Sequence, residues 1–291
     1  MTTTTEPKKP KLNLGWLTPP PKTEDGTMAL VDHLKEFRYR VMISGIGVVV
    51  LMGLSMAFYK YLFAFMLQPA FEAERIYKAA HPENAANVSF TVEGITGGFM
   101  LMLKIGGVAG LILSCPIWLY QLWAFILPGL LANEKKYAVR FLGAAIPLFL
   151  AGVALGYWIS PKGFAVLMNF NPAGVQNLNE LSEFLAFLMR MLLVFGLSFL
   201  LPVVVVALNM LGVLKAATLN KYRNLSIFGC FLFGAIATPS VDPFSMLALS
   251  IPMVAMFFVS VGICTVNDRR RAEKAAASGE VVLDESKISI D

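Results

Sequence analysis

Two carboxylates, Glu36 and Glu134, stand where this 291-residue chain could hold a charged ligand. Glu134 follows an apolar, aromatic-rich stretch, Trp118 to Phe125, that stops at Pro128-Gly129. It lies between Asn133 and the pair Lys135-Lys136, so a carboxylate is offered where lipid headgroups would begin. Glu36 precedes Arg40 by four residues, the spacing that brings two side chains together on one helical face. Each also has a plain reading. Asn133 caps a helix whose positive end favours Glu134, and Glu36 with Arg40 is an ordinary pair on a helix surface.

Catalytic constellations are absent from the sequence. There is no G-x-x-x-x-G-K-[ST], no His-Glu-x-x-His and no paired histidines, so neither nucleotide hydrolysis nor metal-assisted chemistry is expected. Cys115, Cys230 and Cys264 all fall in apolar runs without a Cys-x-x-Cys spacing, and read as small hydrophobes. No metal and no cofactor is expected.

The elements that must position the carboxylates are membrane helices. The hydrophobic fraction is 57%, charged residues make up 15% and the mean hydropathy is +0.66, whereas a soluble domain is about 45 to 50% apolar and about 25% charged. Apolar runs lie near 41–59, 99–127, 141–160, 184–212, 224–237 and 244–266. A helix needs roughly 20 residues to cross about 30 Å of hydrocarbon. The fifth run has 14 residues and reaches only about 21 Å at the helical rise, so it must thin the bilayer or hide behind its neighbours. Thr238-Pro239-Ser240 ends it and Asp242-Pro243 opens the sixth, so the two read as one short hairpin. The expected fold is an all-α integral membrane protein of six transmembrane helices in a compact concave bundle, its last two spans short.

Basic residues set the orientation. With six spans, eighteen Lys and Arg residues fall on the side of the two termini, and only Lys60, Arg75, Lys78 and Lys162 on the other. Both termini are therefore expected in the cytoplasm. Topology explains the net charge of +5 better than nucleic-acid binding does. Residues 1–27 have no apolar core of a signal peptide and read as a disordered cytoplasmic tail, as do residues 270–291. The membrane unit is placed at 28–269.

Leu30, Leu34, Phe37 and Val41 recur at helical spacing, with Lys35, Glu36, Arg38, Tyr39 and Arg40 off the stripe, so this segment should lie along the cytoplasmic interface and lead into the first span. Lys104 and Arg190 fall inside apolar runs. Intramembrane charge flags a transport path, yet both lie near enough to the interface to snorkel. If they instead face a cavity under the loop of residues 60–98, Glu93 or Asp242 could meet them. Asp242 reads equally well as a cap at Asp-Pro.

Four stretches of the chain resemble one family. Asp32-His33-Leu34-Lys35-Glu36-Phe37-Arg38-Tyr39-Arg40 is similar to the N-terminal signature of TatC, the multi-spanning subunit of the twin-arginine protein translocase. Tyr120-Gln121-Leu122-Trp123-Ala124-Phe125, Pro128-Gly129-Leu130 and Glu134-Lys135-Lys136 resemble its most specific stretch. Phe195-Gly196-Leu197-Ser198-Phe199 with Pro202, and Thr238-Pro239 followed by Asp242-Pro243-Phe244-Ser245, resemble two more. One departure is Leu200, where the family often carries Glu or Gln after the phenylalanine.

The resemblance implies a receptor and assembly core, not an enzyme. It implies a place in a bacterial-type cytoplasmic membrane, twin-arginine signal peptides as ligands, and TatA-like and TatB-like single-span subunits as partners. It further implies membrane lipids around the protein, self-association in a larger complex, and the proton gradient as energy source. Glu36 and Glu134 would then bind the paired arginines, supported by Arg38, Lys135, Tyr120, Gln121, Trp123 and Pro128. A guanidinium forks onto a carboxylate through two hydrogen bonds whereas an ammonium is a point charge. A second site, of membrane or extracytoplasmic polar residues, would comprise Lys104, Arg190 and Asp242. The alternative is a polytopic small-molecule or ion transporter, against which stand the absence of a visible inverted repeat and the scarcity of charge at mid-depth. The Gly229, Cys230, Gly234, Ala235 and Ala237 face of the fifth span permits close helix approach, to the sixth span or to a partner.

Overall fold

The computed structural model describes residues 30–80, 88–91, 95–126, 134–169, 177–238 and 242–277. It is built almost wholly from helices: α1 (Leu30–Ala57), α2 (Tyr59–Ala80), α3 (Gly97–Leu113), α4 (Cys115–Ile126), α5 (Glu134–Met168), α6 (Leu181–Ser198), α7 (Leu201–Met210), α8 (Ala216–Lys221), α9 (Arg223–Ala237) and α10 (Pro243–Ala277). Four stretches are long and apolar enough to cross a membrane: His33–Ala57, Phe141–Met168, Leu181–Met210 and Pro243–Lys274. The pair α3 and α4, bent by 56° at Ser114, makes a fifth if it is one passage. The helix α9, with 15 residues, is shorter.

Several features differ from the expectations. The amphipathic segment around Glu36 and the first span are one unbroken helix, α1, of 28 residues. The region 60–98 holds the 22-residue helix α2 and the strand β1 (Val88–Thr91), which pairs in parallel with β2 (Asn177–Glu180). The last helix is not short: α10 runs for 35 residues to Ala277, past the position assigned to the C-terminal tail. Polar side chains sustain that extension. Asp268 accepts from the Asn209 amide at 2.8 Å and from the Ala216 N–H at 2.7 Å, and Arg269 pairs with Glu273 at 3.0 Å. The tail of residues 1–27 and the loop residue Glu93 lie outside the described residues.

The bend between α3 and α4 has a local cause. Pro116 has no N–H to give to the Ile112 carbonyl one turn back, and beside this break the carbonyl of Leu111 accepts from Ser114 Oγ at 3.1 Å and Trp118 Nε1 at 3.0 Å. The turned helix α4 can then lie against both α1 and α5.

Helix packing uses glycine where backbones meet. A Cβ at Gly152 of α5 would stand 2.5 Å from the Phe195 carbonyl oxygen of α6, and one at Gly110 of α3 would stand 2.6 Å from the Met52 nitrogen of α1. Close approach of this kind is what small residues permit in lipid, where helix association depends on van der Waals contact. Around the α5 and α6 contact, Phe149, Phe184, Phe195 and Met191 are buried. Leu200 is also buried, packed with Cys115, Leu119, Phe149 and Val203. An apolar pocket thus surrounds the position at which the family often carries a polar residue.

Candidate functional site

In the first turns of α1 Glu36 turns inward, while Lys35 and Arg38 stay exposed. Glu36 is only 4% exposed, while Leu34, Phe37 and Val41 of the apolar stripe are 60%, 49% and 51% exposed. In a soluble protein this would be inside out, but an apolar stripe facing lipid costs nothing. Among the described residues of α1, Glu36 and Ser55 alone are buried.

The buried carboxylate is partly satisfied. Arg40 donates to Glu36 Oε1 from Nε at 2.9 Å and from a terminal nitrogen at 2.5 Å, and its other terminal nitrogen reaches Gln121 Oε1 of α4 at 3.3 Å. Glu36 Oε2 is buried and has no hydrogen-bond partner among the described residues. One oxygen of the carboxylate therefore already holds a guanidinium, and the other remains an open acceptor. The pair is not the surface contact that its spacing alone would suggest.

Aromatic rings fix this arrangement in place. His33 stacks on Phe125 at 4.5 Å between centroids, and Phe37 meets the same ring at 5.2 Å. On the other side of α4, Trp123 is buried and stacks on Phe141 of α5 at 5.2 Å. Tyr120, in contrast, is half exposed. Through Phe125 and Trp123, the end of α4 joins the start of α1 to the start of α5.

Glu134 is the first residue of α5, two turns before Phe141, so its backbone lies at the same end of the molecule as Glu36. Its side chain and those of Lys135 and Lys136, like Pro128 as a whole, lie outside the described residues. Arg38 is exposed on α1.

The remaining candidates are spread over other elements. Lys104 is exposed on α3 and Arg190 on α6. Asp242 is buried, and its Oδ1 accepts the Ser245 N–H at 2.7 Å, which makes it the cap of α10. Among the described residues no group of three or more His, Cys, Asp or Glu side chains comes together to hold a metal. Arg40 is the contact residue that sequence reasoning undervalued. Its spacing to Glu36 is visible in the sequence, but its contact with Gln121, 81 residues along the chain, is not.

Residues 32–277 match the family model of the Sec-independent protein translocase protein TatC. The chain belongs to the TatC family. The TatC of Frankia casuarinae is 35% identical over 267 residues, covering 91% of this chain and 73% of that protein. The TatC of Escherichia coli strain K12 is 32% identical over 238 residues, covering 81% and 88%. A crystal structure described as the twin arginine translocase receptor TatC superposes with a TM-score of 0.66 at 27% identity, covering 80% of this chain and 98% of that one. The protein is thus a multi-pass component of the Tat protein translocase of the bacterial cytoplasmic membrane, with a role in protein transport. Within the TatC fold, the motif Tyr120 to Phe125 is the part of α4 that links α1 to α5.

Proposed function

We propose that this chain is the signal-peptide receptor of its translocase, and that Glu36 and Glu134 take the two arginines of the export signal. The observation that carries the reading is the buried Glu36 carboxylate, with one oxygen on the Arg40 guanidinium and Oε2 unpartnered among the described residues. A buried unpaired acceptor is costly, and a charge-assisted hydrogen bond from an incoming guanidinium removes the cost. Glu134 supplies the second carboxylate from the start of α5. Arg38, Lys135, Tyr120, Gln121, Trp123 and Pro128 support the surface on which the peptide lies.

Both termini are cytoplasmic in this reading, and α9 is a further, thin crossing beside α10. The helices enclose a concave membrane unit flanked by cytoplasmic tails, with its C-terminal boundary moved to Ala277. TatA-like and TatB-like single-span subunits dock on the face of α9, where a cavity of about 600 Å³ opens between Leu197, Val205, Gly229, Phe233 and Phe257. Lys104, Arg190 and Asp242 lie outside the peptide site and serve packing and capping. With no nucleotide motif in the chain, transport draws on the proton gradient.

Binding of one signal peptide to purified protein in lipid nanodiscs, with Arg-Arg or Lys-Lys, tests the receptor assignment. Arg-Arg is expected to bind at least about tenfold more tightly, a difference of about 1.4 kcal/mol. Glu36→Gln or Glu134→Gln should erase that preference. Equal binding of both peptides, unchanged by either substitution, would remove the site from these residues.

A further inference from the structure

Two cavities adjoin on the flank formed by α2, α3 and α5, and neither belongs to the peptide site. One, of about 500 Å³, is lined by Gln68, Glu72, Arg75, Trp158 and Lys162 among others. The second, of about 350 Å³, is almost wholly apolar, with Phe65, Ile112, Leu150, Val153 and Leu192 in its wall. Tyr157 lines both. Its ring stacks on Phe65 at 4.5 Å and its hydroxyl donates to the Phe65 carbonyl at 2.7 Å, so the partition between the cavities is fixed.

Depth along α5 makes the pair amphipathic in the direction of a lipid. Taking Phe141 as the start of the apolar span, Lys162 lies about 31 Å further along the axis, the thickness of the hydrocarbon core. Trp158, which is 61% exposed, sits one turn below Lys162, at the level where indole rings anchor to headgroups. The apolar groove then runs from Tyr157 back towards Leu150, into the hydrocarbon.

Charge selects the class of headgroup. Arg75 is paired with Glu72 at 2.7 Å, whereas Lys162 lies over the Trp158 ring at 3.1 Å and has no carboxylate partner among the described residues. Two cations and one carboxylate leave the upper cavity positive. The lining selects the tail, because the groove of about 350 Å³ is walled almost wholly by aliphatic and aromatic side chains. An acyl chain fits along it.

We propose that this flank binds one anionic phospholipid, its phosphate held by Lys162 and Arg75 beside Trp158 and one acyl chain lying in the groove below Tyr157. The site would couple α2 to α5 through lipid as well as through protein contacts.

The test uses delipidated full-length protein and matched-chain phosphatidylglycerol and phosphatidylcholine, the latter being zwitterionic. Binding is counted by native mass spectrometry, and the bound position is mapped by a diazirine in the acyl chain. Phosphatidylglycerol is expected to bind at least about tenfold better, with crosslinks between Leu150 and Tyr157. The double variant Arg75→Gln, Lys162→Gln should lose those crosslinks and the preference, while Lys162→Arg keeps both. Ala154→Phe, which fills the groove, should reduce crosslinking by both lipids. Crosslinks confined to other segments, or a preference that survives the double variant while it elutes as a folded single species, would overturn the proposal. If the double variant unfolds, failure of Lys162→Arg to retain the crosslink overturns it equally.

Discussion

Arg40 places two guanidinium nitrogens on one oxygen of Glu36, at 2.9 and 2.5 Å, and leaves the second oxygen buried without a partner among the described residues. In the proposed receptor role, this pair occupies the contact that a signal arginine would make. An incoming arginine could add to Oε2 or displace Arg40 from Oε1. The first route needs Arg40 in place, and the second competes with it.

Substitution of Arg40 separates those routes. Removing one member of a buried pair is strongly destabilising, by about 3 to 5 kcal/mol for full burial. The Arg40 side chain is 17% exposed, so a smaller loss is expected for Arg40→Gln. If the incoming arginine displaces Arg40, this variant should bind an Arg-Arg peptide more tightly, by about tenfold, and regain thermal stability when the peptide is added. Weaker binding with intact folding would mean that Arg40 is part of the site. Peptide titration and melting temperature in detergent read both effects.

Gln121 reaches Arg40 at 3.3 Å, a long hydrogen bond. Its loss in Gln121→Ala should therefore cost no more than about 1 kcal/mol of stability. Peptide discrimination should fall by more than that change explains, because the guanidinium loses its tie to α4. The comparison is between the change in melting temperature and the Arg-Arg to Lys-Lys affinity ratio of the same preparation.

Gly152→Val should separate α5 from α6. Any Cβ there meets the Phe195 carbonyl oxygen at 2.5 Å, and backbone cannot move aside as a flexible side chain can. Overpacking costs typically about 1 to 3 kcal/mol, so a marked fall in melting temperature or loss of monodisperse protein is expected. Gly143→Ala is the control, since nothing lies within 4 Å of a Cβ at that position. Equal behaviour of the two variants would contradict the packing.

Asp242 is expected to behave as a cap. Asp242→Asn retains an oxygen for the Ser245 N–H and should keep the cap, while Asp242→Ala should lose it at a cost of about 1 kcal/mol. Loss of export in Asp242→Asn at full stability would show that the charge itself is needed.

Much of the architecture was legible in the sequence because lipid imposes long apolar runs. The run at 224–237 became α9, and the turn at Asp242-Pro243 became the start of α10. The bend at Ser114 was hidden, since the hydropathy of residues 99–127 is continuous and only Pro116 betrays the break. Helix α2 was hidden too, because its mixture of aromatic and charged residues reads as a loop when only apolar runs are counted. At the site, the motif residues Glu36, Gln121 and Trp123 could be named, but the inward turn of Glu36 could not. The stripe predicts contact with the membrane interface, but its spacing does not say that α4 covers the opposite face at Glu36 and Arg40.

The small parallel ladder between Val88–Thr91 and Asn177–Glu180 also sets an order of assembly. Parallel strands need a long crossover, and here the crossover is the bent pair α3 and α4 followed by the whole of α5. The two strands cannot meet until those segments have been inserted and both connecting loops delivered to the same compartment. The ladder consequently requires an even number of crossings between its strands: a chain in which only one of the intervening passages had entered the bilayer would hold them on opposite sides.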